Sequence, residues 1–257
     1  MTPKISVVIP SYNKVKFIGD TLKSIVTQNY DNFEVIIQDG GSTDGTLKVI
    51  QELAKKYPKK IKYVSKKDEG QLDAINSGLK KATGDIVTFI NADDIYVTGA
   101  FEAVAGHYTE NPDALWFAGK GIVIDEKGLE IAKLVTSYKN YLLVRSTYNM
   151  LLTTNYLMQP SVFLAKKSLQ KYDLFTGTKD FVTEYDMWLK IGKVQMPVVI
   201  DKVLTKFRIE KNTKTSLNSD ILLEEDERIV KRYTKNSFIL FLHMLHNVMR
   251  KIVLKLV

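Results

Sequence analysis

Asn91-Ala92-Asp93-Asp94 follows directly on the apolar run Ile86-Val87-Thr88-Phe89-Ile90. Two adjacent carboxylates at a strand end repel each other and are costly to hold together without a cation. A hard divalent ion, shared between one or two carboxylates and the phosphates of a substrate, neutralises such a pair. The plainer alternative is a turn or helix N-cap, which suits Asp equally well. A second acidic loop, Asp39-Gly40-Gly41-Ser42-Thr43-Asp44-Gly45-Thr46, also joins a strand to a helix. Its glycines let backbone amides approach a ligand, and the helix N-terminus behind it favours anions. It has neither the G-x-G-x-x-G spacing of a dinucleotide site nor the Gly-Lys-Ser/Thr of a P-loop. Asp44 or Ser42 could cap the helix, whereas Asp39 at the strand end could accept hydrogen bonds from a base imide or a ribose. A third acidic segment, Glu184-Tyr185-Asp186-Met187-Trp188-Leu189-Lys190, offers carboxylates able to take a proton, or else a solvated helix start.

The elements that must position these residues are legible over the first hundred positions. Ile5–Ile9 is an apolar, β-branched run ended by Pro10, and Phe33–Ile37, Ile61–Val64 and Ile86–Ile90 are similar. Helical periodicity separates them. Ile18, Leu22 and Ile25 share a face over Phe17–Gln28, Leu47, Ile50 and Leu53 over Thr46–Lys56, and Leu72, Ile75 and Leu79 over Gln71–Ala82. A β-α-β-α-β-α-β order with short polar connections predicts a three-layer α/β/α sandwich around a mostly parallel sheet. Ligands of such sheets bind at the carboxyl ends of the strands. The loops Pro10–Asn13, Asp39–Gly45 and Asn91–Asp94 all lie there, so they are expected to converge on one crevice. The second half is less regular. Leu115–Ala118, Gly121–Ile124 and Ser161–Leu164 read as strands, Glu184–Ile191 as a short helix, and Leu222 onward as helical to the end.

The chain has 257 residues, no cysteine and a formal net charge of +8. Disulfides and thiolate metal sites are thereby excluded. The N-terminus lacks a charged region followed by a long apolar stretch, so a cytoplasmic location is the expectation. The basic residues are dispersed to about residue 215. They then recur beside apolar ones in Arg250-Lys251-Ile252-Val253-Leu254-Lys255. That arrangement favours an anionic membrane surface over nucleic acid, which is not expected as a partner. A helix packed on the core or on a second subunit would carry the same apolar face.

Four ordered blocks resemble the family 2 glycosyltransferases. They are Ser6-Val7-Val8-Ile9-Pro10-Ser11-Tyr12-Asn13, Asp39–Thr46, Asp68-Glu69-Gly70-Gln71-Leu72-Asp73-Ala74-Ile75-Asn76 and Gly84–Asp94. The resemblance implies a GT-A fold, a nucleotide-diphosphate sugar donor, most readily a UDP-sugar, a divalent Mn²⁺ or Mg²⁺ ion, and inversion at the anomeric carbon. It implies that Pro10 and Tyr12 line the base pocket, with Tyr12 stacked on the base. Asp39 matches the acid that bonds the base, Asp44 the acid of the next turn, and Gln71 and Asp73 a polar pair on the donor side. Asn91, Ala92 and Asp93 match the family's Asp-x-Asp motif, Asn91 standing where many relatives have Asp. The metal would therefore rest on Asp93, with Asp94 beside it as the alternative.

The second half resembles the family through Gln159–Phe163 and Glu184–Lys190. Glu184 matches the acceptor base, often Asp in relatives, and Asp186 is the second candidate. Phe207–Ser216 resembles an Arg-x-His segment near the donor phosphates, with Glu210 in place of His and Arg208 as a phosphate fork. The expected organisation is a GT-A catalytic domain over 1–215, with a nucleotide-sugar half over 1–100 and an acceptor half over 101–215. A C-terminal helical tail follows over 216–257. The acceptor would be a hydroxyl of a glycan or lipid-linked saccharide in polysaccharide biosynthesis. Two other readings stay open. One is a sugar-phosphate nucleotidyltransferase, which should carry a Gly-rich, Lys/Arg-bearing loop after the first strand. The other is a sugar-nucleotide-binding module without catalysis, against which Asp93, Asp94 and Glu184 argue.

Overall fold

The first strand of the computed structural model, β1 (Ile5–Ser11), is buried along its whole length, as is β2 (Phe33–Asp39). Continuous apolar runs of this kind suit a parallel sheet covered on both faces. The structure describes residues 2–177, 184–210 and 219–256. The first half continues as expected: α1 (Ile18–Val26), α2 (Thr46–Lys56), β3 (Ile61–Ser65), α3 (Gln71–Lys81) and β4 (Ile86–Phe89). The strands lie in the order β3-β2-β1-β4, all parallel. Their register aligns Ser11 with Asp39 and Asp39 with Ser65, so the loops that follow emerge side by side.

Pro10 does not end β1, which runs on to Ser11. The carbonyls of Val8 and Ser11 bond towards β4 and β2 respectively, so Pro10 shares the β4 side with Val8. The pairing with β4 stops at Val8, and the proline breaks no ladder bond there.

Beyond β4 come β5 (Ile95–Tyr96), α4 (Ala100–Glu110), β6 (Trp116–Ile124), β7 (Glu130–Ile131), α5 (Lys133–Val144) and α6 (Tyr148–Thr153). After these stand β8 (Val162–Ala165), α7 (Lys166–Tyr172), α8 (Glu184–Gly192), β9 (Val198–Arg208), α9 (Ser219–Tyr233) and α10 (Ser237–Leu256). The sheet extends from β4 through β8, β6 and β9 to β5, with β7 on β6. β8 is antiparallel to both β4 and β6, while β6 and β9 run parallel. Parallel pairing thus dominates the half that carries the strand-end loops, and the whole is the expected α/β fold around one mixed sheet with C-terminal helices.

Two further expectations are corrected, and one strand is new. Leu115–Ala118 and Gly121–Ile124 are one strand, β6, because Gly119 and Gly121 sit within the ladder and not in a turn. The tail is two helices, since Asn236 caps the second one with hydrogen bonds from the amides of Phe238 and Ile239. The long strand β9 is an addition that periodicity does not announce. The boundary expected at 215–216 and the segment Lys211–Ser216 lie outside the described residues.

Apolar side chains fill both faces of the sheet. On one face Val8, Val87 and Phe89 pack beneath α3 and extend to Trp116 and Trp188, whose rings stack 5.6 Å apart. On the other, Ile5, Val7 and Ile9 pack under α1 with Leu22 and Ile25.

Candidate functional site

The β1 and β2 loops are joined to each other by hydrogen bonds. The Asn13 amide donates to Ser42 Oγ (2.8 Å), and the Thr43 amide donates back to Asn13 Oδ1 (2.9 Å). The Lys14 amide donates to Thr46 Oγ1 and the Val15 amide to Asp44 Oδ2. Asp44 also accepts from the Thr46 amide and hydroxyl (2.9 and 2.6 Å). Burial pushes this carboxyl up, but those hydrogen bonds outweigh it and hold the pKa below the ordinary value. Asp44 therefore fixes the loop at the start of α2, as an N-terminal cap would.

Asp39 is buried at the end of β2. It accepts from the amides of Gly41 and Ser42 (3.2 and 3.0 Å) and from the hydroxyls of Ser42 and Ser65 (2.5 and 2.6 Å). Tyr12, by contrast, is 61% exposed on the same rim, a free aromatic face beside a fixed carboxylate. Pro10 lies buried one strand position below Ser11. A Cβ on Gly40 would stand 2.9 Å from Asp68 Oδ2, so the glycine lets the β2 loop approach that acid without displacing its side chain.

From the third side, Gln71 Nε2 donates to Asn91 Oδ1 (2.7 Å), tying α3 to the loop after β4. Asp73 is held within its own segment, accepting weakly from the Glu69 amide and the Ser77 hydroxyl. The predicted convergence of three strand-end loops is present, with α3 closing its flank.

Asp93 and Asp94 sit at the base of this crevice, Ala92 being buried behind them. The two acids are held differently. Asp94 is fully buried. Its Oδ1 accepts from the Arg208 amide (2.8 Å), while its Oδ2 has no hydrogen-bond partner among the described residues. Burial first, and the Asp93 charge second, push its pKa well above the ordinary value. Asp93 Oδ2 accepts from Lys14 Nζ (2.7 Å), and the same ammonium bonds Glu210. Burial lowers the Lys14 pKa, yet the two carboxylates overcome this and leave it raised. Burial and the neighbouring Asp93 raise Glu210 in turn.

The Arg208 guanidinium is spent on backbone. Its Nε donates to the Asp93 carbonyl (2.9 Å), its Nη1 to the carbonyls of Asp125 and Glu126 (3.0 and 3.1 Å), and its plane lies 4.7 Å over the Phe17 ring. It clamps the end of β9 to the acidic loop from behind.

No group of three acids or histidines placed to hold a metal alone is found among the described residues. A divalent ion nevertheless fits this corner. Asp93 and Glu210 already hold a cationic ammonium between them, and Asp94 keeps a buried oxygen without a partner. Magnesium and manganese sites of few protein ligands are completed by water and substrate phosphates. Glu210, which would repel a diphosphate if unpaired, is here neutralised by Lys14. Lys14 and Asp68 are the site residues that sequence reasoning passed over. A lysine in a polar loop carries no periodic signal, and its partner Glu210 lies 196 residues away.

Glu184 and Asp186 stand at the start of α8, on the other core face. Asp186 is buried and fully engaged. Its Oδ1 accepts from Tyr233 Oη (2.7 Å) and pairs with Arg232 (3.2 Å), and its Oδ2 accepts from Thr176 (3.1 Å). Glu184 faces the charges of Asp226, Lys139 and Arg250, and burial pushes its pKa up to about 7. No hydrogen bond or ion pair among the described residues joins these two acids to Asp93 or Asp94.

Residues 6–169 match the family model for glycosyl transferase family 2. A protein of Rickettsia conorii called an uncharacterized glycosyltransferase is 31% identical over 217 residues, covering 84% of this chain and 34% of that one. The chain thus spans about a third of the length of that relative. Staphylococcus aureus TarS 1-349, solved in complex with UDP-GlcNAc, superposes with a TM-score of 0.65 at 20% identity, over 88% of this chain and 65% of that one. The mannosyltransferase PcManGT of Pyrobaculum calidifontis, solved with GDP-Man and Mn²⁺, gives a TM-score of 0.69 at 20% identity, over 96% and 69%.

Proposed function

The chain belongs to glycosyl transferase family 2, and on that premise we propose that it transfers a sugar from a nucleotide-diphosphate donor to an acceptor hydroxyl with inversion. The donor would be a UDP-sugar carrying a hexosyl or N-acetylhexosaminyl group. The acceptor would be a glycan or lipid-linked saccharide in polysaccharide biosynthesis. The observation that carries this reading is the crevice where Tyr12, the Asp39 loop, the Gln71–Asn91 pair and Asp93 meet.

In this reading Tyr12 stacks on the base, and Asp39 with its loop bonds the nucleoside edge. Asp44 and Arg208 keep the loops in shape. Asp93, with Asp94 or Glu210 beside it, would hold a divalent ion. Such an ion, when bound, supplies positive charge to the departing diphosphate. Glu184 takes the proton of the acceptor hydroxyl as that oxygen bonds to the anomeric carbon. The bond to the diphosphate oxygen breaks, and the nucleoside diphosphate leaves. A carboxyl with a pKa near 7 is suited to that task, whereas Asp186 is committed to its three partners. The activity would lie at the inner face of the cell membrane, in the cytoplasm. No helix among the described residues is long and apolar enough to cross a membrane.

Nucleotide sugars with Mn²⁺ or Mg²⁺ should raise the melting temperature of the protein selectively. A ligand at a hundred times its Kd adds about 2.7 kcal/mol. Asp93→Ala should remove the metal-dependent part of that shift and lower transfer at least about a hundredfold, the scale of losing one aligned electrostatic group. Full transfer in that variant, or indifference to every nucleotide sugar, would sink the reading.

A further inference from the structure

Helix α10 packs Ile239 and Leu240 against the core but carries a second, larger apolar stripe outward. Its outward face is apolar: Phe238 (66% exposed), Phe241, Met244, Leu245, Val248 and Met249. Its inward face carries the polar residues. His243 and Asn247 are 1% and 4% exposed, and Arg250 points inward as well. His243 Nδ1 bonds the Leu152 carbonyl (3.1 Å), Asn247 Nδ2 donates to the Leu223 carbonyl (3.4 Å), and Arg250 pairs with Asp226 (2.6 Å). A surface helix ordinarily turns its apolar stripe to the core and its polar side to water. Here buried polar residues share the inward side with Ile239 and Leu240 while an apolar stripe faces out, and that stripe awaits an apolar medium.

Helix α5 reaches α10 through a ring contact. Tyr138 Oη and His246 Nε2 are 2.8 Å apart, and the two rings stack. α5 adds Leu134 (88% exposed), Tyr141 and Val144 to the same apolar surface. Neither helix contains an Asp or Glu. The exposed charges at this surface are cationic: Lys133 at the start of α5 and Arg145 just past its end, the latter 4.0 Å over the Tyr141 ring. On neighbouring α9, Glu225 is answered by Arg228, Asp226 by Arg250 and Glu227 by Lys231, while Glu224 stays exposed.

We infer that α5 and α10 together form a platform that lies in the interface of an anionic lipid bilayer. Aromatic and aliphatic side chains enter the acyl boundary while Lys133 and Arg145 meet the lipid phosphates. A second copy of the chain would bring the same cations against each other with no carboxylate on either helix to offset them. α10 lies on the bilayer and does not span it. Its inward face also sets the orientation. The Tyr185 ring stacks on His243 (6.2 Å), so the helix that meets the lipid supports the residue next to Glu184. This refines the proposed membrane location and does not depend on transfer being the reaction.

The test is co-sedimentation of the full chain with vesicles of phosphatidylcholine, alone or with phosphatidylglycerol. Binding should be at least about tenfold stronger with the anionic lipid and should weaken in high salt. The double variant Phe241→Ser/Leu245→Ser should lose at least about tenfold in binding, while Phe241→Leu retains it. Melting temperature and nucleotide-sugar binding should be unchanged in both, because these side chains face away from the protein. Equal binding by the serine variant, or indifference to lipid charge, overturns the inference. So does a stable dimer that becomes monomeric in the serine variant, since a second copy would then be the occupant. Loss of nucleotide-sugar binding with lipid binding intact would strike the transfer reading alone.

Discussion

The molecule holds two pairs of close carboxylates, Asp93 with Asp94 and Glu184 with Asp186, and each pair divides its labour. In the first, Asp94 is buried and bonded by the Arg208 amide, while Asp93 faces the crevice and meets an ammonium. In the second, Asp186 is taken up by Tyr233, Arg232 and Thr176, while Glu184 is left with a raised pKa. The difference lies in what does the holding. Asp93 and Asp94 are fixed by a strand end, by the Arg208 amide and by Lys14. Asp186 is fixed by Tyr233 and Arg232 of α9 and by Thr176. The proposed donor pocket is therefore a property of the sheet, whereas the proposed acceptor side takes its shape from the tail helices packed on it.

Glu184→Gln is the sharpest way to break this comparison. Removing a general base lowers transfer by about 10² to 10⁴. Donor affinity should be retained, because no hydrogen bond or ion pair among the described residues joins Glu184 to the Asp39 or Asp93 loop. In the unaltered protein transfer should rise with pH around a midpoint of about 7, as the carboxyl ionises. The stability consequence has the opposite sense to that of a salt-bridged acid. A carboxyl whose folded pKa lies above its unfolded value costs stability as pH rises from 4.5 through about 7. Glu184→Gln should thus melt no lower, and above pH 7 somewhat higher, than the parent. A flat pH profile, or a fall in melting temperature at pH 8, would assign Glu184 a structural role.

Asp186→Asn probes the other member of the pair. The neutral amide removes the charge that meets Arg232 and disturbs the hydrogen bond from Tyr233, at a cost of about 1–3 kcal/mol. The measurement is a denaturant or thermal melt beside activity per folded molecule, which should stay within about tenfold of the parent. Large loss of transfer with an unchanged melt would exchange the roles of Glu184 and Asp186. It would also remove the claim that α9 is part of the acceptor side.

How legible each region was follows from the same contrast. β1 to β4 are mostly apolar runs, broken by single residues such as Ser6, Glu34 and Lys62, between polar loops, so the parallel half and its crevice could be read from Ile5–Ile9, Phe33–Ile37 and Ile86–Ile90. β9 could not. Asp201, Lys202 and Lys206 interrupt its apolar residues, and the pairing with β6 shifts register near Lys120, which destroys the two-residue period. In α10 periodicity is plain, but it is the same whether the stripe faces in or out. Only the inward hydrogen bonds of His243 and Asn247 reveal which. The partnership of Lys14 with Asp93 and Glu210 depends on tertiary closure across the whole chain, and no local pattern encodes it. Asp44 followed its plain reading as a cap, whereas Asp39 proved to be bonded by its own loop.

A third buried acid sharpens the comparison at smaller amplitude. Glu34 on β2 is buried like Asp94, yet its pKa moves the other way. Burial pushes it up, but hydrogen bonds from Thr83, Ser6 and Lys62 outweigh this and hold it at about 2. Because the folded pKa is depressed, the stability it contributes is complete above about pH 4.5 and is lost as pH falls towards 2. Glu34→Gln should cost about 1–2 kcal/mol at pH 7, since an amide reproduces only some of those bonds. The cost should shrink steadily in melts taken from pH 5 down to pH 3. Equal destabilisation at pH 7 and pH 3 would mean that shape, not charge, makes the Glu34 contacts. In that case donor density would not be what separates a low carboxylate from a raised one in this fold.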